Sequence, residues 1–325
     1  MNFRTVTDLN DAIVRRLPSL PRDLDLVVGI PRSGMLAASL IALHLNLPLT
    51  DVDGFIAGRM YPPGRTRASF LKHRDVADCR TVLVVDDSIS TGAQMDAVRQ
   101  ALAGASVGRR IVFGAVYATP EAVSKVDLPF DVCPAPRMFE WNFYHSSNLR
   151  DACMDIDGVL CRDPTPEEND DGARYLAFLE NVEPIRLPTL PVGYLVTCRL
   201  EKYRGPTEAW LARHGVKHDH LLMMNLPDKA ARQRSGAHAA YKANHYRSTG
   251  TAFFIESSLA QATEIADRAC KPVFCTESRT VVFPGALSIG TSLAKKTPGY
   301  VAKRARIASS RLGSWLLRVA RRRSG

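Results

Sequence analysis

The sequence contains no CxxC pair, and its cysteines (Cys79, Cys133, Cys153, Cys161, Cys198, Cys270 and Cys275) are scattered and number seven, an odd count. A zinc-ribbon ligand set is thereby excluded and a disulfide framework disfavoured, so a reduced, cytoplasmic setting is expected. A long apolar run is also lacking. The best one, Met35 to Leu49, is broken by His44 and Asn46 and falls short of the ~20 residues a membrane span needs. The opening MNFRTVTDLND has no apolar signal-peptide core. Aromatic residues make up 7% of the chain, which argues against large stacking surfaces. Acidic residues are absent from Ala294 to Gly325, a stretch holding ten Lys and Arg, and this equals the net charge of +10 of the whole chain. The remainder is therefore neutral, and a nucleic-acid partner for the body is not expected.

What is present is the material of about two globular domains: 325 residues, 46% of them hydrophobic. LDLVVGI (Leu24 to Ile30), TVLVVDD (Thr81 to Asp87) and IVFGAVY (Ile111 to Tyr117) are short apolar runs. The first two lead through small-residue turns into helical stretches reaching Leu45 and about Ala103. Continuous β-branched runs alternating with helices predict a parallel sheet covered on both faces. Between them, Ala57 to Asp78 has no period and reads as a long loop, which in a compact domain is often functional. After Arg150 the alternation restarts with ACMDID (Ala152 to Asp157), VGYLVT (Val192 to Thr197) and TAFFIE (Thr251 to Glu256), each run ending in a polar residue. Helices are expected over Pro206 to Gly215, Asp228 to His245 and Ser257 to Ala269. The polar strand ends then share one sheet edge, where ligands of open α/β sheets bind.

In VLVVDDSISTGAQ (Val82 to Gln94), Asp86 and Asp87 end a strand and can accept hydrogen bonds from two vicinal hydroxyls. Ser90, Thr91, Gly92, Ala93 and Gln94 form a turn opening a helix, a setting suited to a phosphate monoester. The segment resembles the phosphoribosyl diphosphate (PRPP) signature of type I phosphoribosyltransferases, with Ser88 and Gln94 as mild departures. GIPRSGM (Gly29 to Met35) resembles that family's pyrophosphate loop. The resemblance implies that Arg32, Ser33 and Gly34 hold a diphosphate that leaves as a Mg²⁺ complex. It also implies a closing loop over the interval holding Arg59, Tyr61, Arg65, Arg67, Lys72 and Arg74, and a hood at PRMFEWN, where Phe139 or Trp141 covers the acceptor or merely plugs the domain junction.

DIDGVL (Asp155 to Leu160) places two carboxylates two residues apart at a strand end, with Gly158 for a sharp turn. It resembles the first motif of haloacid dehalogenase-like (HAD) phosphatases. That resemblance implies Asp155 as nucleophile and Asp157 as acid and base. Thr197 would bind a phosphoryl oxygen and Lys242 would steady the nucleophile, with Lys229 the other lysine considered. Asp155, Asp157 and Glu256 would hold Mg²⁺. The family usually shows two acids where Glu256-Ser257-Ser258 stands. The short spacing between motifs leaves little room for a cap domain. His214, His218 and His220 lack the acid and third ligand of a zinc site and are read as solvated.

The expected architecture is α/β: a phosphoribosyltransferase-like domain over 1–150, a capless HAD-like domain over 151–290, both with parallel Rossmann-like sheets, and a basic tail over 291–325. In the tail, Leu312, Trp315, Leu316 and Val319 at i, i+3, i+4, i+7 predict an amphipathic helix for an anionic membrane face, the alternative being a disordered basic tail. The expected activity is transfer of 5-phosphoribosyl from PRPP to a nucleobase or a glycan hydroxyl, followed by phosphate removal. The alternative is a PRPP-sensing protein with a degenerate HAD module. Expected partners are PRPP, the acceptor, the inner face of the membrane and a second copy in a homodimer.

Overall fold

The computed structural model describes residues 2–62 and 75–285. The chain divides into two compact units, Met1–Asn148 and Leu149–Gly325. Residues 65, 67, 72 and 74 of the expected closing loop, and the expected tail helix, lie outside the described residues. No helix among the described residues is long and apolar enough to cross a membrane.

The first unit runs β1 (Asn2–Arg4), α1 (Val6–Arg16), β2 (Leu26–Gly29), α2 (Gly34–Leu45), β3 (Leu49–Asp51), α3 (Val52–Ile56), β4 (Thr81–Ile89), α4 (Ala93–Ala101), β5 (Arg110–Ala118), β6 (Leu128–Val132) and β7 (Arg137–Phe139). Five strands form one sheet in the order β3-β2-β4-β5-β6, parallel throughout. The strand period of two explains its two cores. Val27 and Leu83 pack with Leu9, Ile13, Ala38 and Ile41 on one face. Their neighbours Val28 and Val84 pack with Phe55, Met95, Val98 and Leu102 on the other. α1 begins where Thr5 and Asp8 exchange side-chain and backbone hydrogen bonds in a capping box. β1 pairs in parallel with β7, Phe3 opposite Met138 and Arg4 opposite Phe139, which ties the hood segment to the N-terminus.

The second unit runs β8 (Ala152–Met154), α5 (Ala173–Asn181), β9 (Val192–Leu200), α6 (Arg204–Arg213), β10 (His218–Met224), α7 (Lys229–Ser235), α8 (His238–Ser248), β11 (Phe253–Glu256), α9 (Leu259–Ala269), β12 (Val273–Cys275) and β13 (Thr280–Val282). The sheet order is β10-β9-β8-β11-β12-β13. This sheet is mixed and not wholly parallel as expected, because β13 runs antiparallel to β12. The cause is local: residues 276–279 are too few for the crossover a parallel return needs, and Arg279 (φ 52°) turns the chain straight back. The single helix expected over Asp228 to His245 is two helices. Gly236, at φ 54°, ends α7, and α8 restarts two residues on. Trp210 is fully buried and satisfies its indole N–H on the Val182 carbonyl at 2.7 Å.

Candidate active sites

In the first unit, β4 carries Asp86 and Asp87 to the sheet edge, where both are buried. α2 starts against them: a Cβ at Gly34 would stand 2.9 Å from both Asp86 Oδ1 and the Val85 carbonyl, so only glycine allows this approach. Ser33 then donates its hydroxyl to Asp87 Oδ1 at 2.7 Å, joining the two loops read from the sequence. Arg32 is exposed at the same turn. Past β4 the chain turns through Gly92, at φ 83°, into α4. Thr91 accepts from the Ala93 N–H at 3.3 Å, and Thr119 donates to the Ser90 carbonyl at 3.1 Å. Ser90, Thr91, Ala93 and Gln94 are exposed, so the turn faces solvent.

Phe139 is buried, stacked between Tyr117 (centroids 5.6 Å apart) and Trp141 (4.8 Å apart). Trp141 is the half-buried outer member of this stack, and its indole Nε1–H donates to Asp87 Oδ2 at 2.9 Å. Both oxygens of Asp87 thus have neutral donors. Asp86 accepts the Asp87 N–H at 2.8 Å. Burial, followed by the neighbouring Asp87 carboxylate, pushes its carboxyl up to about 8.

In the second unit Asp155 follows β8, Glu256 ends β11, and Lys242 reaches both from α8. The Lys242 ammonium stands 2.5 Å from Asp155 Oδ2, 2.7 Å from Glu256 Oε2 and 3.0 Å from Gln261 Oε1. All three charged groups are buried. Burial drives Asp155 upward and Lys242 opposes it, whereas for Lys242 the two carboxylates outweigh the burial that would lower it. Glu256 Oε1 accepts from Ser257 N at 2.9 Å, Ser257 Oγ at 3.2 Å and Ser258 N at 3.2 Å, so the two serines satisfy the single acid. Thr197 is fully buried and accepts the Arg199 N–H at 3.2 Å. Lys229 donates from its side chain to the Asn169 carbonyl and takes no part in this cluster.

Sequence reasoning missed Arg199, which is fully buried and grips Asp157 through Nη2 at 2.7 Å and Nε at 3.1 and 3.2 Å. The signal was legible: two residues after Thr197 on one strand, it shares that residue's face. Asp163 was missed as well. Burial, then the Asp157 and Glu256 carboxylates, raises its carboxyl. Gly158, at φ 77°, lies between Asp163 and Ser257, and a Cβ there would collide with the Ser257 side chain.

The three acids expected to share Mg²⁺ are committed elsewhere: Asp155 and Glu256 to Lys242, and Asp157 to Arg199. Among the described residues no three His, Cys, Asp or Glu side chains converge to hold a metal ion. As arranged, the side chains of Asp155, Asp157 and Glu256 do not fit a common Mg²⁺. Of the histidines, His214 packs on Trp210 at 4.6 Å and His220 stacks on Tyr194 at 4.5 Å.

Fold and site define the first unit as a parallel α/β domain with a carboxylate pair and a helix-opening turn at one edge. Residues 4–147 match the family model described as "Phosphoribosyl transferase domain", which supports phosphoribosyl transfer from PRPP as the activity class of this unit. No curated protein matches the chain. Solved structures that the chain is similar to include a purine phosphoribosyltransferase from Pyrococcus horikoshii (18% identity, 43% of this chain and 92% of that one, TM-score 0.32). Others are a xanthine-guanine-hypoxanthine phosphoribosyltransferase from Helicobacter pylori (16%, 43% and 90%, 0.31) and an orotate phosphoribosyltransferase from Aeropyrum pernix (21%, 39% and 70%, 0.27). Identities and scores this low carry no residue's role across.

Two predictions follow from the electrostatics. A carboxyl whose pKa is higher folded than unfolded takes up a proton on folding, so Asp86 works against the native state increasingly as pH rises from about 4 toward about 8. Asp86→Asn keeps the Oδ1 acceptor and removes that cost. Its melting temperature should exceed wild type by more at about pH 8.5 than at about pH 5, and an equal difference at both would refute the assignment. Lys242→Met leaves two buried carboxylates facing each other without a cation and should cost about 3–5 kcal/mol. The check is a urea titration, in which the unfolding midpoint of the second unit should fall sharply.

Proposed function

We propose that the chain is a two-site enzyme that transfers 5-phosphoribosyl from PRPP to a nucleobase and hydrolyses a phosphate monoester at its second site. The observation that supports the first half is the Ser33–Asp87 hydrogen bond of 2.7 Å, which brings the GIPRSGM loop against the Asp86–Asp87 pair. In this reading Asp86 and Asp87 accept the ribose hydroxyls. Ser90 to Gln94 take the 5-phosphate, and Arg32, Ser33 and the start of α2 take the diphosphate of Mg²⁺-complexed PRPP. The bond from the anomeric carbon to the diphosphate oxygen breaks as the bond to a ring nitrogen of the acceptor forms, and the proton displaced from the base passes to the departing diphosphate or to solvent. The outer face of Trp141 offers a flat acceptor a stacking surface, with Phe139 behind it.

The second half rests on the Asp155–Lys242–Glu256 cluster. We read the unit as a capless HAD-like phosphatase in which Asp155 attacks phosphorus and water then hydrolyses the aspartyl-phosphate. Thr197 and Lys242 steady the phosphoryl oxygens. Asp157, oriented by Arg199, passes the proton to the leaving oxygen and takes one from water. The 5-phosphate installed by the first site is the proposed substrate, which makes the product a nucleoside.

Two assays separate the halves. Replacing Asp86 and Asp87 together with Ala should cut PRPP-dependent diphosphate release at least a hundredfold, at about 1.5–3 kcal/mol for each lost charged hydrogen bond, and leave phosphate release from an added nucleotide intact. Asp155→Asn should do the reverse, with the 5-phosphorylated product accumulating. Dephosphorylated product from that variant would exclude the second unit as its source.

A further inference from the structure

The sequence offers Phe139 or Trp141 as an aromatic cover for the acceptor or as a plug at the domain junction. The position of Trp141 shows a second engagement. The indole ring stacks on Phe139 with centroids 4.8 Å apart and an interplanar angle of 16°. The same ring points its one polar atom, Nε1–H, at Asp87 Oδ2 over 2.9 Å. The other oxygen of Asp87 is taken by Ser33 at 2.7 Å. Asp87 is 3% exposed, and among the described residues no Lys, Arg or His forms a direct ion pair with it; Arg137 interacts with it electrostatically without a hydrogen bond, so Ser33 and Trp141 are the side chains whose hydrogen bonds fix its orientation.

A carboxylate that must receive ribose hydroxyls has to be held at one rotation about its Cβ–Cγ bond. Two fixed donors, one on each oxygen, do this. Each oxygen keeps a further lone pair, so a ribose hydroxyl can add to Oδ2 without displacing the indole. The indole itself is fixed by stacking on Phe139, which in turn stacks on Tyr117, a residue with no exposure. This chain of contacts runs from the β5 core through the hood to the carboxylate. A phenylalanine at position 141 would preserve the stack and lose only the donor.

We propose that Trp141 is a positioning residue for PRPP, fixing the ribose-binding carboxylate of Asp87 through its indole N–H and so coupling the hood to the sugar site. This rests on reading Asp86 and Asp87 as the ribose ligands. The consequence is that a hood substitution weakens PRPP even when no acceptor is present, which a residue that only covers the acceptor would not do.

The test is calorimetric binding of PRPP with Mg²⁺, without acceptor, to the full chain carrying Trp141→Phe, Ser33→Ala or no substitution. Trp141→Phe should weaken PRPP about three- to tenfold, less than the full loss of a hydrogen bond to a charged group, because the indole orients Asp87 and does not touch PRPP. Ser33→Ala should weaken it comparably. Trp141→Phe should keep the wild-type melting temperature within about 2 °C, since the stack survives. In the ¹⁵N-labelled protein, one of the three indole N–H resonances expected from three tryptophans should disappear in Trp141→Phe. That same resonance should move when PRPP is added to wild type. Wild type binding PRPP, with Trp141→Phe binding it equally well and the indole resonance unmoved, overturns the proposal alone. Wild type failing to bind PRPP overturns the reading of the ribose site and the proposal with it.

Discussion

A carboxylate at the end of a parallel strand is buried by the strands on either side, and it must either find a partner or take up a proton. Both units depend on how this is met, because in each the polar strand ends are the candidate chemistry. The second unit brings in a cation. The Lys242 ammonium sits between Asp155 and Glu256 at 2.5 and 2.7 Å, and Arg199 takes Asp157. The first unit uses neutral donors, Ser33 and Trp141, on Asp87, and leaves Asp86 to carry the burden as a raised pKa.

These solutions differ in what they leave available. Neutral donors orient Asp87 and leave a further lone pair on each of its oxygens, so it keeps its capacity to accept hydroxyls. The lysine and arginine of the second unit neutralise their acids and hold them rigid, which suits a group that must present one oxygen along one line. The same pairing explains why the acids there do not form a shared metal cradle: their oxygens already point at protein cations, and Glu256 further accepts from two serines.

Glycine is needed where these sites close up. Gly34 lets α2 begin against Asp86, and Gly158 lets the turn after Asp157 pass Ser257. Both were visible as parts of motifs. The antiparallel turn of β13 and the break at Gly236 were not read correctly, because periodicity reports which face of an element is buried and is silent about strand direction and short interruptions.

The parallel α/β character of the first unit was legible in the sequence, because continuous apolar runs with helices between them admit few other packings. So was the position of Asp155 just beyond β8 and of Glu256 at the end of β11, since each ends an apolar run; Asp86 and Asp87 also end an apolar run, but β4 continues past them to Ile89 through its pairing with β5. The partners of those carboxylates were decided only by tertiary structure. Lys242 lies 87 residues from Asp155 and Trp141 lies 54 from Asp87. A hydrogen bond of under 3 Å between groups so far apart in the chain is set by how helices and hood settle on the sheet, which no local pattern encodes. Arg199 stands between the two cases: its face was fixed by its spacing from Thr197, but its full burial against Asp157 emerged only once β9 had packed beside β8.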